Sequence, residues 1–181
     1  MSGPVRPPPI LCVVGKKDSG KTTLVVGLVA ELVGRGRRVM TIKHGHGFEL
    51  DREGTDSWRH RHEGGALRVA LAGPDQMAVQ GGWGPEGEPG PEEIAARFLD
   101  DAELVVAEGY KGATLPKVEV HRAGRHASPV YAPDAPDAAL FVAFVTDRPD
   151  VELPLPVFDL TDPELIPKLT DLVEASLLGG R

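Results

Sequence analysis

The chain has a single cysteine, Cys12, so no internal disulfide can form. Its setting within "ILCVV" makes it a small buried hydrophobe of a reducing compartment. Long apolar runs are missing too. The longest, such as "ALFVAFV", fall far short of the ~20 residues that span a bilayer. The opening "MSGPVRPPPI" has no signal-peptide core, so a cytoplasmic protein without membrane contact is expected. A basic surplus is also absent: 20 Lys and Arg stand against 27 Asp and Glu, a formal charge of −7. That balance disfavours a general binder of phosphate backbones and argues against a nucleic-acid partner. What remains, 41% hydrophobic and 26% charged, is the composition of one ordinary domain with a proper core. Residues 1–9 read as a disordered tail and 10–181 as a single domain.

Strand-length apolar runs recur at "ILCVV", "RVMTI", "LRVALA", "QMAVQ", "ELVVAE", "KVEVH" and "ALFVAFV". Several lack polar alternation, as strands buried on both faces do. Between the first two, Leu24, Leu28 and Leu32 repeat every four residues beside Val25, Val29 and Val33, which predicts an amphipathic helix closed by Gly34 or Gly36. Strand, turn, helix and strand within ~30 residues make a βαβ unit with a parallel start to its sheet. Further helices are expected at "TDSWRHRHEG", capped by Thr55 or Asp56, at "PEEIAARFLDD", and at "DPELIPKLTDLVEASLLGG", where Pro167 bends or delays the first turn. The Gly/Pro-rich stretch around Trp83 and the segment from Gly124 to Asp137 read as mobile loops. The hairpin-like "LRVALAGPDQMAVQ" adds an antiparallel element to a mostly parallel α/β sheet.

Residues 15–22, "GKKDSGKT", fit the phosphate-loop pattern G-x-x-x-x-G-K-[ST], with a buried strand before and a helix after. Gly15 and Gly20 allow backbone shapes and close approaches that a Cβ would block, so successive N–H groups can face phosphate oxygens. The helix N-terminus adds partial positive charge, Lys21 adds a full one, and the Thr22 hydroxyl is placed for Mg²⁺. Mg²⁺ also calls for acidic help, and "ELVVAEGY" offers Glu108 at the end of a buried strand, followed by Gly109 to turn the chain.

The segment leaving the second strand carries Lys43, His44, His46, Asp51 and Asp56. Asp56 has two readings: it orients an attacking water or a Mg²⁺-bound water, or it caps a helix. His44 and His46 alternate along an extended segment and share a side, which suits polar contacts to phosphate or to a pterin better than a metal, since no further ligands follow at metal-like spacing. His60 and His62 point apart on a helix and read as surface residues. Asp147, at the end of the late strand "FVAFVT", is a candidate contact for guanine, although the usual lysine beside it is missing and a turn role is its alternative.

Taken together, "GKKDSGKTTL", "IKHGHGFELDREGTDSWRHRHEGGAL" and "ELVVAEGYKGATLPKVEVHR" resemble the molybdopterin-guanine dinucleotide biosynthesis adaptor family, MobB, from about Ile10 to near the C-terminus. The specific parts are the G-x-D-S step from Gly54 to Ser57 and the pattern E-G-[FY]-K followed by P-K-x-E-x-x-R, from Glu108 to Arg122. The resemblance implies a P-loop NTPase-like, GTP-binding, Mg²⁺-dependent protein, commonly dimeric, with weak GTPase activity at most. It implies action beside the guanylyltransferase that joins GMP to molybdopterin. By the same resemblance Gly15, Lys16, Lys17, Asp18, Ser19, Gly20, Lys21, Thr22 and Thr23 take the phosphates, Thr22 and Glu108 serve the metal, and the Lys43 to Asp56 segment has a switch-like or cofactor-facing role, Asp56 being the further metal candidate from the reading above. Lys21 and Asp56 become the catalytic candidates. Lys111 and Lys117 become surface lysines for a pterin phosphate, or merely solvated ones.

Two departures from that family stand out. Asp18 replaces the usual asparagine and brings a negative charge near the phosphates unless it caps the turn and faces away. Gly45 and Gly47 interrupt the histidines after "KH". Lys16 stands where some dimeric P-loop ATPases carry a lysine that reaches into a partner, without the glycines that accompany it there. A small-molecule kinase is the alternative function, its lid arginines drawn from "RHRHEGG" or "HRAGRH". A nickel-handling GTPase fits worst, because Cys12 sits inside a strand and no Cys-His cluster accompanies it.

Overall fold

The structure is a computed structural model that describes residues 7–45, 47 and 50–179. The chain forms two compact units, one of residues up to His44 together with those from Gly90 onward, the other Gly45–Pro89. The larger is built on a six-stranded sheet in which every pairing is parallel. Its strands are β1 (Ile10–Val14), β2 (Val39–Lys43), β5 (Leu104–Glu108), β6 (Lys117–His121), β7 (Phe141–Thr146) and β8 (Val157–Asp159), in the order β2-β5-β1-β6-β7-β8. β1 lies near the centre with all five residues buried, which is why its sequence shows no alternation. There Cys12 is fully buried, and desolvation pushes its thiol up to about 11, so it stays protonated and inert.

One face of the sheet is covered by α1 (Lys21–Gly34) and α4 (Leu165–Leu177). α1 buries Leu24, Val25, Leu28 and Leu32, but Val33 lies off the expected stripe at 53% exposure. The helix ends on Gly36, at φ +83°: the Gly36 N–H reaches the Val33 carbonyl and the Arg37 N–H that of Leu32, which satisfies two orphan acceptors. α4 repeats Leu165, Leu169 and Val173 at every fourth residue and packs on α1. Gly27 makes that approach possible, since a Cβ there would stand 2.8 Å from Ile166 Cδ1. Pro167 falls within the first turn of α4, where its missing N–H leaves no intrahelical bond unmade.

The opposite face packs Ile10, Cys12, Val14, Val105 and Ala107 against Ala95 of α3 (Pro91–Phe98) and against Tyr131, Phe141 and Phe144. The segment from Gly124 to Asp137 is irregular, as expected, but it is anchored: Tyr131 is buried, and the Val130 and Tyr131 N–H groups each donate to Glu119 at 2.6 Å. Burial raises the Glu119 carboxyl above its usual range.

The smaller unit holds α2 (Asp56–His62) and the antiparallel hairpin of β3 (Arg68–Ala72) and β4 (Met77–Gly81), a two-stranded sheet of its own. Among the described residues, no helix is long and apolar enough to cross a membrane.

Candidate functional site

Parallel pairing sets the ends of three neighbouring strands side by side. Val13 of β1 is in register with Glu108 of β5, and Glu108 with Lys43 of β2. At this carboxyl edge the chain leaves β1 through Gly15, at φ +148°, where a Cβ would lie 2.4 Å from the Val120 carbonyl oxygen. Only glycine tolerates both the conformation and the contact. The loop passes Asp18, also left-handed at φ +58°, and enters α1 through Gly20 at φ +103°. Ser19 between them is fully buried, and its hydroxyl has no partner among the described residues.

Lys21 bends back so that its ammonium donates to the Lys16 carbonyl at 2.6 Å. Desolvation lowers its pKa, opposed by the nearby Glu108 carboxylate. The Thr22 hydroxyl lies 3.0 Å from both carboxylate oxygens of Glu108, which is buried. The two residues picked as a metal pair are therefore in contact. Lys43 is ion-paired with the same carboxylate. Gly109, at φ +111°, and Tyr110, at φ +56°, then turn the chain away, with the His44 ring 4.9 Å from that of Tyr110.

These groups border an open cleft of about 650 Å³. Lys17, Asp18, Gly20, Lys21, Thr22 and Thr23 line it from the loop and helix, Lys43 and Glu108 from one side, Arg122 and Arg125 from another. Five basic side chains face two acidic ones in a protein of net charge −7, so the cleft gathers positive potential. Arg122 and Arg125 belong to the "HRAGRH" stretch offered to the kinase alternative, not to the candidates for the GTP-binding reading. They follow β6 directly, and β6 is the other neighbour of β1, a pairing that the sequence does not announce.

Other candidates lie elsewhere. Lys16 turns its ammonium to Ser128 Oγ at 2.9 Å. Lys117 corrects the expectation of a surface lysine: it is fully buried in β6, 3.5 Å from Asp137 and over the Phe141 ring. Lys111 is exposed on the turn after Gly109. Asp147 accepts the Ala123 N–H at 2.7 Å, and bonds from the Ala123 and Gly124 amides hold its carboxyl below the ordinary range. Asp56 is not the cap of α2; Thr55 is, and Asp56 is the first helical residue, in the smaller unit. In that unit Asp51 accepts from Ser57 and Arg61. His46 lies outside the described residues. Among the described residues, no three His, Cys, Asp or Glu side chains gather around a metal position.

A parallel sheet with a glycine-bounded loop between its central strand and the first helix defines a P-loop NTPase-like protein. The family model MobB, "Molybdopterin guanine dinucleotide synthesis protein B", matches residues 10–147, and the chain belongs to this family. It is 34% identical over 173 residues to the molybdopterin-guanine dinucleotide biosynthesis adapter protein of Haemophilus influenzae, covering 92% of this chain and 88% of that one. The protein of the same name from Escherichia coli is 32% identical over 124 residues, 64% of this chain and 67% of its own length. The crystal structure of a MobB homolog from Bacillus stearothermophilus superposes with a TM-score of 0.65 at 28% identity, covering 92% of this chain and 98% of that one.

Proposed function

We propose that the chain is a GTP-binding adapter in the conversion of molybdopterin to its guanine dinucleotide form, acting beside the guanylyltransferase of that step, as a homodimer in the cytoplasm. The observation that carries the reading is the contact between the Thr22 hydroxyl and Glu108 in a cleft that Lys21 also lines. The residues present fit a triphosphate and a hard divalent cation. Gly15 and Gly20 free the loop backbone, the buried Ser19 hydroxyl has no partner among the described residues, and Thr22 with Glu108 supplies two oxygen donors, as Mg²⁺ prefers. Bound there, the cation would neutralise phosphate charge.

On this reading Gly15 to Thr23 hold the phosphates, with Lys17 and Lys21 facing the cleft. Lys21 gives up its Lys16 carbonyl contact to pair with phosphate oxygens. His44 and Lys111 are the pterin contacts, and Asp147 is the contact for the base. Binding energy acts through the 43–56 segment, which answers to the occupied cleft and changes the affinity for the transferase.

Calorimetry of GTP and ATP, each with and without Mg²⁺, on the wild type and Lys21→Ala tests this. GTP is expected to bind more tightly than ATP, and loss of Lys21 to cost about 1.5–3 kcal/mol. An unchanged affinity in the variant overturns the site. Arg122 and Arg125 in the cleft favour a second reading, a small-molecule kinase, whose mark would be a phosphorylated acceptor in place of slow phosphate release.

A further inference from the structure

The segment after β6 touches the phosphate loop along its carbonyls. His126 Nε2 lies 2.7 Å from the Lys17 carbonyl oxygen, and Arg122 Nε donates to the Ser19 carbonyl at 3.1 Å. A carbonyl only accepts, so the His126 contact requires the proton on Nε2. The segment is itself braced. The Arg125 and His126 N–H groups close a turn onto the Arg122 carbonyl, Asp147 takes the Ala123 N–H, and His121 Nε2 bonds the His126 carbonyl at 2.9 Å.

These contacts have a consequence for the amides. Every described peptide bond is trans, and in a planar trans peptide the C=O of one residue and the N–H of the next point in opposite directions. With the Lys17 oxygen held by His126, the Asp18 N–H points away from that ring. With the Ser19 oxygen held by Arg122, the Gly20 N–H points away from that guanidinium. Among the described residues, neither N–H is taken up by a backbone carbonyl. Both Asp18 and Gly20 border the cleft, whereas His126 does not.

We propose that His126, with Arg122, is a positioning residue for anion binding: by holding the Lys17 and Ser19 carbonyls it keeps the Asp18 and Gly20 amides turned toward phosphate oxygens before any ligand arrives. Asp18 needs this help most, because its left-handed backbone is uncommon for a residue with a Cβ. Preorganised amides bind a phosphate without first reorienting. The inference rests on the phosphate-binding reading above and adds to it a residue, His126, that does not line the cleft.

Calorimetry with inorganic pyrophosphate and with Mg²⁺-GTP on the wild type, His126→Ala and His126→Gln separates the possibilities. His126→Ala is expected to weaken both ligands about tenfold, and His126→Gln, whose side-chain amide can still donate to the Lys17 carbonyl, to recover most of that loss. Thermal midpoints are measured alongside. Wild-type affinity in His126→Ala overturns the inference while leaving the phosphate site standing, and so does an equal loss in both variants, which marks a packing role. Failure of the wild type to bind either ligand overturns the phosphate site and the inference together.

Discussion

Lys43 pairs with the buried carboxylate of Glu108, the group that also accepts the Thr22 hydroxyl. A cation of the protein's own thus sits against the oxygens assigned to a metal ion. The register of β2 on β5 puts it there, since Lys43 and Glu108 are direct partners at the ends of adjacent parallel strands.

A divalent ion must compete with that ammonium. Lys43→Met is expected to tighten Mn²⁺ binding in the presence of GTP, and because Lys43 is more than half exposed the gain is modest, about two- to fivefold. Electron paramagnetic resonance of free Mn²⁺ during titration measures it. Weaker binding in the variant would mean that Lys43 assists the metal-nucleotide complex.

Gly15→Ala confronts the Val120 carbonyl oxygen at 2.4 Å in a backbone conformation that side chains avoid. A loss of about 1–3 kcal/mol in stability is expected, together with displacement of the loop. Chemical denaturation gives the first, and phosphate affinity the second. A variant as stable as the wild type with intact binding would contradict the close approach of Gly15 to Val120.

Glu119 gives a pH dependence whose sign follows from its burial. Its folded pKa lies above the ordinary 4.5, so between the two values the native state holds the extra proton. Its contribution to stability is therefore full below 4.5 and declines as pH rises through the folded value. Glu119→Gln should abolish this decline, so the melting-temperature difference between wild type and variant should change from acid toward neutral pH in the variant's favour. Parallel curves would refute the assignment.

Lys117 tests a structural role against a ligand role. It is fully buried beside Asp137 and Phe141, so Lys117→Met keeps the volume and removes the cost of a buried charge. Stability within about 1 kcal/mol of the wild type is expected, with unchanged nucleotide and pterin affinity. Lost pterin affinity in a fully folded variant would restore the ligand role.

Part of this was legible in advance because it is local. The loop between Val14 and Lys21, the leucine stripe of α1 and the Gly36 stop depend on residues within a turn or two of one another, and they lie where the pattern put them, Val33 alone falling outside the stripe. Lys117 was not legible as a buried residue: in "KVEVH" Val118 and Val120 pack under α1 and α4 while Lys117, Glu119 and His121 are buried on the other side. Alternation records chemical character, and the anchored 124–137 segment supplied partners that a charged face finds otherwise only in water. β8 escaped notice because three residues among prolines carry no periodicity.

By itself the sequence determined the phosphate loop, its flanking strand and helix, and the carboxylate at a strand end, because short-range sterics and patterning decide backbone shape. Only the tertiary structure decided that β5 and β6 flank β1, and so that Thr22 meets Glu108 across 86 residues, that Arg122 and His126 reach the loop, and that Lys43 pairs with Glu108 beside it. Such neighbours come from strand order and register, which are settled by how whole faces bury against one another and leave no mark at any single position.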